Sequence, residues 1–232
     1  MISNMKNLLS VSFGIGLLLV LSGFGEAREA RMQVFGFVRL LNAVSAGTGK
    51  LEFLIDGESV RPAGYQLGNV TGGIALKPGS HQIKFRQEGV KEGETRVEVA
   101  ENTTVILIPF AEEVPARAGD PAHWEIRILR LKQHESEDRR TASFVSVSRE
   151  PELQLEIRES DGKWQRVSVK RLGIARAEIT QARGYMPVRH KGGDLSAVSV
   201  GPSGNFVSVL YDDAKGVLRS KTFQDYKYLG TD

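Results

Sequence analysis

Leu51-Glu52-Phe53-Leu54-Ile55-Asp56-Gly57 is a short apolar run ending in a dipeptide well suited to a tight reversal. A two-residue hairpin turn needs positive φ at its centre, and Asp-Gly accepts it, so the run reads as a strand about to fold back on itself. The same grammar continues outward from it. Lys77-Pro78-Gly79-Ser80 separates two further apolar segments, with Pro presetting φ and Gly taking the left-handed position. In this half, strands are expected over 34–41, 51–55, 70–76, 81–87, 95–99 and 104–110. Beyond it they are expected over 124–131, 142–147, 153–159, 164–170, 175–181, 186–190, 196–200 and 205–211. Asp161-Gly162 and Asp212-Asp213-Ala214-Lys215-Gly216 mark later turns. The predicted class is all-β.

Two halves follow the same plan. Residues 66–79 can be laid on residues 171–184 without a gap, matching Leu67-Gly68 to Leu172-Gly173 and Gly79 to Gly184. A hairpin precedes each block and a short strand with a closing hairpin follows it. Pro109, Pro115, Gly119 and Pro121 interrupt the periodicity between the halves, which predicts a linker. The expected organisation is a signal peptide over 1–30, a β-sandwich over 31–114, a linker over 115–122 and a second β-sandwich over 123–232, with Ig-like or jelly-roll-like modules in tandem. Chance similarity between two β-modules is the alternative.

The leader is read from its charge and apolarity. Lys6 is followed by an almost wholly apolar stretch from Leu8 to Phe24, and then by small residues at Gly25-Glu26-Ala27 and Ala27-Arg28-Glu29-Ala30. That pattern predicts export, with the mature chain beginning near Arg28 or Arg31. An uncleaved anchor would need about 20 consecutive apolar residues. This stretch is shorter and is broken by Ser10, Ser12, Gly14, Gly16, Ser22 and Gly23. The expected location is periplasmic or secreted, with no membrane span once the leader is removed.

The chain has 232 residues, 41% hydrophobic and 25% charged, enough to bury a core. It contains no Cys, which excludes disulfides, thiolate metal sites and a catalytic thiol. The net charge of +3 is unevenly spread: residues 34–116 hold eight Lys/Arg against ten Asp/Glu, and residues 117–232 hold twenty against sixteen. This mild basicity falls short of a nucleic-acid binder and suits an anionic glycan better.

No constellation for chemistry stands out. His81, His123, His134 and His190 lie far apart, without metal-ligand spacing, and Asp120 with His123 could share an ion only beside the expected linker. No nucleophile elbow, phosphate loop or dinucleotide fingerprint is present. Glu112-Glu113 and Asp212-Asp213 are adjacent residues, and neighbours on a strand point to opposite faces, so they do not form a glycosidase pair. No catalytic residue, cofactor or metal is therefore expected. The candidate polyanion-binding residues are Lys84, Arg86, Arg189 and Lys191, which alternate with apolar neighbours so that each pair shares one side of its strand. A solvated outer face is the alternative. Trp124 and Trp164 could stack on sugar rings or pack in a core. The segment from His134 to Arg140 reads as a charged, solvated loop, and Asn69-Val70-Thr71 and Asn102-Thr103-Thr104 match the glycosylation triplet.

Phe37-Val38-Arg39-Leu40-Leu41-Asn42-Ala43, the Leu51–Gly57 hairpin and Leu76-Lys77-Pro78-Gly79-Ser80-His81 together resemble two related groups. One is the DUF4397 family of secreted β-sandwich domains. The other is the AlgF-like family of periplasmic alginate O-acetylation accessory proteins, whose second β-domain is similar to the stretch Val207-Ser208-Val209-Leu210-Tyr211-Asp212-Asp213. The likeness extends over roughly residues 34–228 in architecture, with its sharp motifs between 37 and 81; the charged stretch from His134 to Arg149 departs from it. The resemblance implies no catalytic residue, since in that system acetyl transfer belongs to partner proteins. It implies a non-enzymatic accessory role in exopolysaccharide O-acetylation or export. Its partners would be envelope proteins of a polysaccharide-modifying complex and an anionic polysaccharide. A secreted carbohydrate-binding or adhesive module is the competing expectation, and a hydrolase a distant third.

Overall fold

The hairpin expected at Asp56-Gly57 is present in the computed structural model, with Asp56 at φ 51° and Gly57 at φ 88°. The structure describes residues 34–232 except 118, 135–139, 160–161, 182, 226–227 and 232. The expected leader and most of the charged loop thus lie outside the described residues. Among those described, every helix or strand is a strand, and no helix is long and apolar enough to cross a membrane.

The first half comprises β1 (Gly36–Leu40), β2 (Thr48–Ile55), β3 (Glu58–Ser59), β4 (Ile74–Leu76), β5 (Gly79–Glu88), β6 (Val90–Val99), β7 (Thr104–Val114) and β8 (His123–His134). The second comprises β9 (Thr141–Ser146), β10 (Glu152–Ile157), β11 (Gln165–Lys170), β12 (Ile174–Glu178), β13 (Gly184–Met186), β14 (Val188–His190), β15 (Gly193–Asp194), β16 (Val198–Val200), β17 (Asn205–Asp212) and β18 (Leu218–Asp225), before the last strand β19 (Tyr228–Thr231).

The pairing repeats. β1 and β9 each pair antiparallel with β4 and β12, and parallel with β7 and β17. β2 and β10 pair with β3 and β11 on one side and β5 and β14 on the other. β5 and β14 continue to β6 and β15, and β7 and β17 to β8 and β18. Gly79 opposite Val99 and Gly184 opposite Val200 share a φ near +135°. At the start of the repeated block the backbone contacts are those of Asn42 with Gly68 and Asn69, and of Ser146 with Leu172 and Gly173. Gly68 therefore corresponds to Leu172, one residue away from the gapless sequence alignment.

The expected linker at 115–122 is the connection of a long hairpin. β7 continues through Pro109 to Val114, and β8 begins at His123. A strand proline is tolerated where no ladder bond needs its missing N–H. The Pro109 carbonyl accepts from Ala43 N at 2.9 Å, so that edge of Pro109 faces the chain beyond β1, where the β1–β7 ladder has already ended at Leu40–Leu107. The ladder to β8, on the other edge, needs no N–H from Pro109 and runs from Val105 opposite Lys132 to Val114 opposite His123.

Among the described residues, three apolar clusters form the interior. Phe53, Phe85, Val38, Val105 and Leu107 centre the first; Leu153, Leu155, Phe144, Phe206 and Leu210 centre the second. A third joins Leu41, Ile106, Ile108 and Leu131 to Val145, Val207, Val209 and Tyr211. Alternation explains the arrangement, because successive strand residues point to opposite faces. On β7, Val105 and Leu107 enter the first cluster while Ile106 and Ile108 enter the third. On β17, Phe206 and Leu210 face the second while Val207 and Val209 face the third. Buried on both sides, β7 reads as an apolar run from Val105 to Ala111, and β17 as one broken only by Ser208 between Phe206 and Tyr211. Residues 34–232 thus make one compact unit of stacked and curled sheets.

Candidate functional site

The four candidate cations fall on corresponding strands, Lys84 and Arg86 on β5, Arg189 on β14 and Lys191 just beyond it. Each meets a carboxylate. Lys84 lies opposite Glu94 on β6, Nζ to Oε2 at 3.1 Å, just as Arg189 lies opposite Asp194 on β15, Nε to Oδ1 at 2.6 Å. Arg86 reaches Glu92 at 3.0 Å and Glu52 at 3.9 Å, and Lys191 grips Glu150 through both oxygens at 2.8 and 2.9 Å. Glu94 is held below the usual carboxylate range by hydrogen bonds from Gln82 first and Lys84 second. Glu150 is lowered chiefly by Lys191, against the opposing effect of burial. The first pair and the second therefore lie in different sheets, each neutralised locally.

The outer face of β10, β11 and β14 carries more. Leu153, Leu155 and Ile157 are buried, which turns Glu152, Gln154, Glu156 and Arg158 outward. On β11 the register sets Arg166 opposite Glu156, Ser168 opposite Gln154 and Lys170 opposite Glu152, and Arg189 adjoins Glu156 from the other side. Trp164 sits at the start of this row, half-buried, with the guanidinium carbon of Arg189 4.4 Å and that of Arg158 4.8 Å from its ring centre. Among the described residues, no carboxylate lies within ion-pair distance of Arg158, Arg166 or Lys170. A hollow of about 330 Å³ adjoins Arg166, lined also by Gln154, Glu156, His190, Lys191 and Glu150 among others.

Arg158 and Arg166 were not singled out from sequence. The signal that could have found them is alternation, Arg158 continuing the outward positions Glu152, Gln154 and Glu156, and Arg166 lying in the row Trp164, Arg166, Ser168 and Lys170. Trp124 behaves differently: it packs against the first cluster and carries the Arg149 guanidinium 5.5 Å from its ring.

A larger cleft, of about 780 Å³, opens where β6 diverges from β8, with Glu92, Glu94, Glu112, Arg127, Arg130 and Leu172 on its walls. Its charges are of both signs, and Arg171 pairs with Glu112 at 2.7 Å beside it. His123 bonds Pro121 O through Nδ1 at 3.2 Å, and Asp120 exchanges backbone bonds with Arg117 across the turn. His190 bonds Gln154 O through Nδ1 at 3.0 Å. No group of three His, Asp or Glu among the described residues could hold a metal ion.

The motif residues of the first half act on turns. Asn42, almost fully buried, donates Nδ2 to Tyr65 O at 3.1 Å, accepts from Val44 N at 2.9 Å, and exchanges backbone bonds with Gly68 and Asn69. His81 joins two turns, Nδ1 to Asp56 at 2.6 Å and Nε2 to Lys77 O at 2.8 Å, while Asp56 also caps Gln82 N. Burial favours the neutral ring, but bonds to the Lys77 carbonyl and the Asp56 carboxylate outweigh it and raise the His81 pKa. Asp56 is correspondingly lowered, chiefly by His81 and then by Gln82 N–H. No protein-family model and no curated protein matches this chain.

Proposed function

We propose that the chain is a non-enzymatic, exported tandem β-sandwich protein, periplasmic or secreted, that assists alginate-like exopolysaccharide O-acetylation or export. It would act through contacts with envelope proteins or with the polymer. The observation that carries this reading is the work done by the motif residues on which the resemblance rests. Asn42, Asp56, Gly57 and His81 each hold a turn, so what the likeness transmits is a framework for contacts. The repeated pairing of β1–β8 and β9–β18 supports the tandem part of the reading.

Deleting the gene in its host and measuring the acetate content of the exopolysaccharide tests it, together with pull-downs from envelope extract. Reduced acetylation or export and a captured envelope protein are expected. Unchanged polymer with no envelope partner overturns it. The second reading, a secreted carbohydrate-binding or adhesive module, is favoured by one observation: Trp164 belongs to none of the three apolar clusters and lies against two guanidinium groups on an outer face.

A further inference from the structure

We infer that the outer face of β10, β11 and β14 is a binding site for an anionic saccharide, with Arg158 and Arg166 as the residues that take its carboxylate or sulfate groups. This deepens the polymer-contact part of the proposed function and rests on it for the choice of ligand. The two halves present corresponding faces, and a comparison between them makes the argument. On the β5 face Lys84 and Arg86 are answered at 3.1 and 3.0 Å by Glu94 and Glu92, which leaves little charge for a ligand. On the β10 face Arg189 and Lys191 are answered in the same way, yet Arg158, Arg166 and Lys170 are not. Set against the outward Glu152 and Glu156, these three cations leave the β10 face a small positive surplus.

Trp164 gives that charge a fixed geometry. A guanidinium over an indole ring is held in place before a ligand arrives, and its N–H groups can still donate. Arg158 has no other partner at its guanidinium among the described residues, so both edges are available for a two-point bond to a planar carboxylate or to a sulfate. Trp164 is thus a positioning residue. The adjoining hollow favours a saccharide over a polynucleotide. Its walls set Glu150, Glu152 and Glu156 beside Arg166 and Lys191. Carboxylates there would accept from the several hydroxyls that each unit of a saccharide carries and that a deoxynucleotide backbone lacks.

Calorimetric titration of the purified protein with a galacturonate hexamer, a heparin hexasaccharide, maltohexaose and a dodecamer of deoxythymidylate tests the assignment. At least one anionic saccharide is expected to bind, and which of the two binds better separates carboxylate from sulfate as the recognised group. Maltohexaose is expected not to bind. Arg158→Gln and Arg166→Gln should each weaken binding about tenfold or more, the scale of a lost charge-assisted bond. Trp164→Phe should weaken it less than either, while Lys84→Glu with Arg86→Glu should change it by less than about twofold. Melting curves of the Gln variants matching the parent separate lost contacts from lost fold. The inference is overturned if no anionic saccharide binds, if maltohexaose binds equally, if the oligonucleotide binds more tightly, or if folded Arg158→Gln and Arg166→Gln variants bind like the parent. Altered acetylation in the deletion strain, with no saccharide binding, would remove this site and leave the accessory reading standing.

Discussion

His81 shows how much one side chain can organise in a strand-rich chain. Its ring, 14% exposed, fastens the Asp56-Gly57 turn to the Lys77-Pro78 turn, and both ring nitrogens face acceptors, which is the arrangement of the protonated form. With a folded-state pKa above the ordinary 6.5, the stability it contributes is complete below about that pH. That contribution is lost as the pH rises through the raised value. Asp56 works in the opposite sense, its contribution present above the ordinary carboxylate range and lost as acid protonates it. Urea unfolding of the parent at about pH 5.5 and pH 8.5 should show lower stability at the alkaline end, and His81→Gln should flatten that difference. Because Asp56 is half exposed, solvent screening limits the effect of His81→Gln to about 1 kcal/mol.

Leu172 carries a different tension. It stands at φ 58°, where its counterpart Gly68 stands at φ 77°, and it is 40% exposed. A left-handed conformation costs a side-chain-bearing residue about 1–2 kcal/mol, so Leu172→Gly should raise stability by roughly 0.5–1 kcal/mol after glycine's greater entropy is counted. Gly68 cannot be exchanged in return, since a Cβ there would meet the Tyr211 hydroxyl at 2.5 Å. A lower denaturation midpoint for Leu172→Gly would contradict this account.

At the level of strands, much was legible, because apolar periodicity and turn chemistry act locally. The expected strands at 51–55, 81–87, 142–147, 153–159 and 205–211 all coincide with observed ones. What escaped is instructive. β18, Leu218–Asp225, has polar residues at its buried positions, Ser220 and Asp225, so neither apolar alternation nor an apolar run announces it. Its stability comes from the ladder with β17 and from Gln133, which donates to Asp225 at 2.7 Å, partners distant in sequence. The strand expected at 104–110 stops four residues short of the end of β7 at Val114, because the breaker rule does not know which edge of a strand is paired. The candidate cations were found, but not their carboxylates, since Lys84–Glu94 and Arg189–Asp194 depend on cross-strand register. The join between β6 and β8 within the first sheet is likewise invisible in sequence. At Gly93 a Cβ would lie 2.6 Å from the Ile126 carbonyl, close to where Lys91 pairs with Glu125. Gly93→Ala should push β6 away from β8 and cost about 1–3 kcal/mol, measured by denaturant unfolding.

At the scale of the whole molecule the third cluster matters most. Ile106 and Val209 are fully buried, the first supplied by one half and the second by the other. Ile106→Ala should cost about 2–5 kcal/mol, and Val209→Ala somewhat less. Since the seam belongs to both halves, Trp124 and Trp164 fluorescence should report one coincident transition in the parent and in both variants. Two separated transitions would mean that the halves unfold independently. The same seam bears on what a shortened chain would do. Cut after β8, the chain would leave Leu41, Ala43, Ile106, Ile108, Phe110 and Leu131 bare to water, a greasy wall that pulls molecules together.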